Sequence, residues 1–165
     1  MKNKRFKIMV ILFFIGFIVA LGVSYSVNMM GTKDGVFNVD YDSTWKLVNK
    51  EEFMLKHKKT GSIISIQSKI LEDSYVDTEL KYLIQDIMYS IEEQNKDYKL
   101  INMSDEVNSE YDSYSYLYEK DMEQVLVNVY KKGNKLVIAY YQADSEVYDI
   151  VLDSVDTILA SLKIS

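Results

Sequence analysis

The stretch "EYDSYSYLYEKDMEQVLVNVYKKGNKLVIAYYQA", residues 110–143, decides the fold of this chain. It contains three runs rich in tyrosine, valine and isoleucine, and the first two alternate in side-chain character at every second position, as β-strands do. Residues 132–135 (KGNK), between the last two runs, have the glycine and asparagine typical of a tight turn. The stretch therefore predicts consecutive strands that pair in an antiparallel sheet.

The flanking segments complete an α+β pattern. Upstream, "VFNVDYD", "STWKLV" and the two runs of "EFMLKHKKTGSIISIQSKI" predict further strands, as "YKLINMS" does at residues 98–104. A helix is predicted from apolar residues at three- and four-residue spacing, namely Leu80, Leu83, Ile84, Ile87, Met88 and Ile91. A second helix closes the chain, with a predicted inner stripe of Val147, Ile150, Val151, Ser154, Ile158, Leu159 and Leu162. The predicted fold is an antiparallel sheet flanked by two long helices.

The order of these elements resembles the PsbP-like fold. "VDYDSTWKL" (39–47) is similar to the opening strand and turn of that family, "LIQDIMYSIEE" (83–93) to its first long helix, and "VYDIVLDSVDTILASLKI" (147–164) to its closing helix. Ser43 and Thr44 replace the Pro-Gly pair common in the family, so the turn at these positions is not expected to have the family's conformation unchanged. The resemblance implies a fold shared by a photosystem II accessory protein, a Ran-binding nuclear import factor and many bacterial envelope proteins, which is too varied a group to imply one function.

The N-terminal residues predict a membrane anchor. Residues 8–23 are continuously apolar, and the uncharged segment 8–27 is long enough to cross a bilayer as a helix, with Ile8, Phe13, Phe14, Ile18, Leu21 and Val27 in the span. The basic tail at residues 1–7 places the N-terminus in the cytoplasm, and a linker at residues 28–35 leads to an extracytoplasmic domain at residues 36–165. The alternative is a cleaved signal peptide, which predicts a secreted domain.

Charge and composition exclude several functions. Lys2, Lys4, Arg5 and Lys7 contribute +4 to the formal net charge of −6, which leaves −10 for the rest of the chain. An acidic domain repels phosphates, so nucleic acid is not an expected partner. The absence of cysteine excludes disulfides, thiolate catalysis and cysteine-ligated metals.

Catalytic and metal-binding patterns are sparse. His57 is the only histidine, and it is interpreted as a neutral, exposed side chain of a hairpin among lysines. Glu119, Asp121 and Glu123 surround a predicted turn, where they are either solvated acids or ligands of a weak calcium site. Asp149, Asp153 and Asp156 share one side of the last helix and are interpreted as its solvated face. No cofactor is predicted, and the chain is not expected to be an enzyme.

Four tyrosines, Tyr111, Tyr114, Tyr116 and Tyr118, lie within eight positions. The last three share one face of their strand, where they either pack beneath a helix or form a partner-binding surface. Burial under Ile84 and Met88 favours the packing interpretation, whereas an exposed sheet face favours binding.

Three functions are compatible with these features. The first is a membrane-tethered, non-catalytic accessory or interaction domain that binds an envelope protein, with its oligomeric state left open, and it predicts an exposed apolar patch. The second is a small-molecule or lipid-binding domain, which predicts a cavity. The third is a carboxylate-based hydrolase, which predicts two convergent acids, at least one with a raised pKa.

Overall fold

The computed structural model describes residues 35–50, 52–94, 96–107 and 111–165. The predicted cytoplasmic tail, the membrane-spanning residues 8–27 and all of the linker except its last residue lie outside the described residues. In the part of the chain that the structure describes, no helix is both long and apolar enough to cross a bilayer.

A seven-stranded antiparallel sheet forms the centre of the domain. In chain order the strands are β1 (Phe37–Asn38), β2 (Trp45–Asn49), β3 (Met54–His57), β4 (Ile63–Ile70), β5 (Lys99–Val107), β6 (Asp112–Lys120), β7 (Glu123–Lys132), β8 (Lys135–Asp144) and β9 (Lys163–Ile164). The order across the large sheet is β2-β3-β4-β8-β7-β6-β5, so β2 and β5 are its edges, while β1 and β9 pair separately. The predicted antiparallel pairing of the three tyrosine- and valine-rich runs is confirmed.

Helix α1 (Leu80–Gln94) covers one face of the sheet, called here the α1 face. All six residues of its predicted apolar stripe are buried, and they pack on alternate residues of β6, β7 and β8, including Tyr118, Val127 and Ile138. The helix therefore forms where its periodicity predicts it, because its apolar side is sealed against the sheet.

Helix α2 (Ser145–Ala160) covers the opposite face, called here the α2 face. The predicted inner stripe is wrong at Ile150, whose side chain is 74% exposed, whereas Tyr148 and Val155 are buried. The buried side of the helix therefore differs from the predicted one. Tyr148 faces the sheet because its ring packs 4.9 Å from the ring of Tyr141, whose hydroxyl donates a hydrogen bond to the Tyr148 carbonyl at 2.9 Å. The predicted two-helix arrangement is confirmed, and the domain has three layers with the sheet in the middle.

The two ends of the described domain lie side by side. Phe37 in β1 pairs with Ile164 in β9, and the Ser165 N–H donates a hydrogen bond to the Val36 carbonyl at 3.0 Å. Trp45 is buried on the α2 face, where its Nε1–H donates to Ser154 Oγ at 2.8 Å. These contacts hold the start of the domain against the end of α2.

Candidate functional site

The four tyrosines of the sequence motif do not form one surface. Tyr116 and Tyr118 are 7% and 1% exposed and lie in the core beneath α1, with Ile84 and Met88 in the same cluster. The packing interpretation is confirmed for these two side chains, which a partner cannot reach in the folded domain.

The remaining two tyrosines flank that core on opposite faces. Tyr114 packs, partly buried, against the α1-face cluster. Tyr111 precedes β6 and belongs to the α2-face cluster, where its ring meets that of Tyr130 edge-on at 5.5 Å. A shared binding face made of all four rings is therefore not formed.

The three acids near the β6–β7 turn point in different directions. Lys120 is opposite Glu123 and Glu119 is opposite Gln124 in the β6–β7 register, so the Glu119 and Glu123 side chains lie on opposite faces of the sheet. Asp121 lies in the exposed turn between them. Among the described residues, no three histidine, aspartate or glutamate side chains converge to hold a metal ion, so these carboxyls do not assemble the alternative calcium site.

Glu123 is the most perturbed acid of the β6–β7 hairpin. Its side chain is 5% exposed and accepts a hydrogen bond from the Tyr98 hydroxyl at 3.3 Å. Burial raises the pKa of Glu123 to about 7, with a further upward contribution from Asp144 on the neighbouring strand. Glu123 has the raised pKa that the hydrolase hypothesis requires, but its side chain is buried away from solvent, so the shift is expected to affect the stability of the domain.

His57 is half-buried rather than exposed. Its Nδ1 lies 2.8 Å from Thr60 Oγ1, and its ring centre lies 5.1 Å from that of Trp45. Thr60 Oγ1 is in turn 2.7 Å from Ser62 Oγ, so His57 organises the β3–β4 turn.

Strand β5 presents the largest run of exposed apolar side chains on the sheet. Leu100, Ile101 and Met103 are 41%, 47% and 59% exposed, and a β-bulge lies between Leu100 and Asn102. Because β5 is the last strand of the sheet, one of its sides faces no other strand among the described residues. This edge is a candidate for the exposed apolar patch predicted for an interaction domain, although sequence reasoning did not single out these residues.

An open cleft of about 400 Å³, called here the α2 cleft, lies between α2 and the α2 face of β6 and β7. Asn128 is 6% exposed, and its Oδ1 accepts a hydrogen bond from Ser115 across the strand pair. The Asn128 Nδ2 atom is buried and donates to no group in the described part of the chain. The cleft is lined by Tyr111, Ser113, Ser115, Asn128, Tyr130, Asp156, Leu159 and Ala160.

Of the three aspartates on α2, the structure brings Asp156 to the α2 cleft. Partial burial raises the pKa of Asp156 above its usual value, and the nearby Asp153 raises it further. All three aspartates remain exposed, as expected for a solvated side of the helix. The sequence signal that could have revealed the cleft is Asn128 itself, an amide within the otherwise apolar run "VLVNVY".

No family model and no curated protein matches this sequence. Solved structures do match it, among them the solution structure of cyanobacterial PsbP (CyanoP) from Synechocystis sp. PCC 6803, with a TM-score of 0.63 at 13% identity over 84% of this chain and 92% of that chain. LpqN, described as involved in cell envelope biogenesis of Mycobacterium tuberculosis, matches with a TM-score of 0.56 at 8% identity over 78% of this chain and 83% of that one.

A third match is PA94 from Pseudomonas aeruginosa, described as a protein of unknown function and putative regulator. It has a TM-score of 0.54 at 10% identity and covers 78% of this chain and 83% of that one. At such identities the likeness shows the fold alone. It confirms the resemblance predicted from the order of strands and helices.

Proposed function

We propose that this chain, whose fold is PsbP-like, is a membrane-tethered extracytoplasmic domain that binds another envelope protein through its edge strand β5. The observation that carries the proposal is the exposure of Leu100, Ile101 and Met103 on a strand with an open side. Natural edge strands are usually kept short, charged or covered, because an open apolar edge recruits further strands.

The two edges of the sheet differ in a way that selects β5. Strand β2 has five residues, its Trp45 is buried beneath α2, and Val48 is its one large apolar side chain that is well exposed. Strand β5 has nine residues and exposes three such side chains. An extended segment of a partner that added to β5 would gain main-chain hydrogen bonds together with apolar contacts.

Charge indicates the chemistry of the partner. Asp105 is exposed on β5 close to Met103. The formal net charge of the whole chain is −6, and because the basic tail contributes +4, the residues after it carry −10. An extended segment that combines apolar side chains with lysine or arginine complements this edge, whereas an acidic segment is repelled.

The tether rests on the N-terminal sequence. Residues 8–27 have the length and apolar character of a membrane span, and the basic residues before them favour a cytoplasmic N-terminus. A linker of eight residues reaches at most about 30 Å, so the domain would act close to the membrane surface. The involvement of LpqN in cell envelope biogenesis is compatible with such a location.

Gentle extraction of the tagged full-length protein, followed by chemical crosslinking and mass spectrometry, tests the proposal. Two matched variants sharpen it, since Ile101 on β5 and Val48 on β2 are both 47% exposed. We expect one stoichiometric neighbour with the wild type and with Val48→Lys, and its loss with Ile101→Lys. A full-length protein that leaves the membrane without detergent contradicts the tether, and equal recovery of the neighbour with both variants contradicts the edge assignment.

A further inference from the structure

We infer that the α2 cleft binds a neutral, hydroxyl-rich ring, such as one hexose unit of a glycan, through Asn128, Asp156 and Tyr111. The site is separate from the β5 edge and lies on the face of the sheet that α2 covers. Its volume of about 400 Å³ falls within the range of small-molecule sites, which is roughly 300–1,000 Å³.

The inner wall of the cleft holds a donor without an acceptor. Asn128 is 6% exposed, its Oδ1 is occupied by the Ser115 hydroxyl, and its Nδ2 has no hydrogen-bond partner among the described residues. Burying a hydrogen-bond donor without an acceptor is unfavourable, and native structures rarely contain such a group. The Nδ2 atom itself has almost no accessible surface, so an oxygen of a bound molecule would satisfy it once the Asn128 side chain turns toward the cleft that it lines.

The α2 side of the cleft holds an acceptor. Asp156 lines the cleft from α2, and no described side chain forms an ion pair or hydrogen bond with its carboxylate. A carboxylate accepts hydrogen bonds strongly and can receive them from ring hydroxyls. Tyr111 and Leu159 add apolar surface, against which the C–H groups of a ring can pack.

The combination of these groups selects a neutral ligand. An anion is repelled by Asp156 and by Asp153, which interact electrostatically with each other. A cation suits Asp156 but leaves the Asn128 N–H groups unsatisfied. A hydroxyl group both donates and accepts, so a ring that carries several hydroxyls can serve the amide and the carboxylate at once.

Packing alone does not explain these polar residues. Val127 and Val129, the neighbours of Asn128 in β7, are fully buried on the α1 face, which shows that the strand tolerates apolar side chains. Leu126 occupies the α2 face two positions earlier and packs against the α2-face cluster. Asn128 therefore departs from the apolar pattern of its strand, and it does so at the wall of a cleft, where ligand binding can account for a polar side chain.

The test is saturation-transfer-difference NMR on the full-length protein in a detergent without sugar, such as lauryldimethylamine oxide. The probes are glucose, galactose, N-acetylglucosamine and the β1,4-linked disaccharides of glucose and N-acetylglucosamine, with galacturonate as the anionic comparison. We expect saturable binding of at least one neutral sugar and weaker or no binding of galacturonate. Asp156→Asn should weaken the binding about tenfold or more, because a charge-assisted hydrogen bond is lost.

Asp153→Asn is the matched control, since Asp153 is exposed on the same helix and does not line the cleft. It should bind as the wild type does. Asn128→Leu should abolish binding while the protein stays folded by circular dichroism. The inference is overturned if no neutral sugar binds saturably, if galacturonate binds more tightly, or if Asp156→Asn binds as the wild type does. Ile101→Lys should leave sugar binding intact. Sugar binding in the α2 cleft and partner binding at β5 are therefore tested independently of each other.

Discussion

Strands β6 and β7 present two different surfaces to the two helices. On the α1 face, Tyr116, Tyr118 and Val127 are sealed beneath α1 in a continuous apolar core. On the α2 face, the same strands carry Ser115 and Asn128 beside an open cleft. Successive side chains of a strand point to opposite faces, so one stretch of sequence builds both surfaces. The tyrosines that dominate the sequence mark the core, and the less conspicuous polar residues between them mark the surface available for binding.

The largest effect is expected on the sealed face. Tyr118→Ala should lower the free energy of unfolding by about 3–5 kcal/mol, because it removes a ring that is 1% exposed and leaves a cavity. Thermal or denaturant unfolding of the full-length protein measures the change. Tyr82→Ala is the control, since Tyr82 is 55% exposed on α1, and it should shift stability by less than about 0.5 kcal/mol. Equal effects of the two substitutions would show that Tyr118 is not part of the core.

A smaller effect, dependent on pH, is expected at Glu123. Its pKa of about 7 lies above the ordinary value of 4.5, so the folded state binds the proton more tightly than the unfolded state does. The protonated carboxyl therefore contributes stability that is fully present below pH 4.5 and is lost as the pH rises to about 7. The loss should reach at most about 3.5 kcal/mol, because the pKa rises from 4.5 to about 7 and each pKa unit corresponds to roughly 1.4 kcal/mol.

Glu123→Gln isolates this contribution from the titration of other acids. The variant keeps a polar side chain near Tyr98 but cannot ionise, so its stability should fall less than that of the wild type between pH 4.5 and 7. Unfolding curves measured across this pH range provide the comparison. Parallel pH profiles for the two proteins would show that Glu123 titrates normally.

On the cleft side, the expected effect has the opposite sign. Asn128→Leu should leave stability unchanged or raise it by at most about 1 kcal/mol, because it removes a buried N–H donor that lacks a partner, while the half-buried Ser115, which loses its acceptor, can turn its hydroxyl to solvent in the cleft. The melting temperature reports the change, and Val127→Ala, at a fully buried neighbour on the α1 face, should lower it. A marked destabilisation by Asn128→Leu would mean that the amide serves the fold rather than the cleft.

The smallest effect on stability is expected at the open edge. Ile101→Lys should change the free energy of unfolding by less than about 0.5 kcal/mol, since the side chain is 47% exposed and lies at a bulge. Comparison of the melting temperatures of the variant and the wild type checks this. A large loss would place Ile101 in the packing of the domain and would undermine its use as a probe of partner binding.

The sequence predicted the sheet and α1 well for a clear physical reason. The runs at residues 112–144 alternate or remain apolar at strand length, and the stripe from Leu80 to Ile91 has the helical period. Both patterns are local, and tertiary packing agrees with them. The resemblance to a PsbP-like order of elements depended on the same local patterns, and the structure comparisons confirm it.

The parts that sequence reasoning missed depend on contacts between distant residues. The α2 helix offers several apolar stripes, and the contact between Tyr148 and Tyr141, rather than the helix period, selects the buried side and exposes Ile150. The α2 cleft joins Tyr111 and Ser115 to Asp156, which is 41 positions from Ser115 in the chain. Such a juxtaposition follows only from the strand register and the position of α2.

Site-specific photo-crosslinking in living cells shows directly whether β5 is the edge that contacts a partner. The full-length protein would carry a benzoylphenylalanine at position 101 on β5 or at position 48 on β2, two sites with the same 47% exposure. We expect one prominent crosslink to an envelope protein from position 101 and none from position 48. Equal crosslinking from both positions, or no crosslink from position 101, would contradict the assignment of β5 as the partner-binding edge.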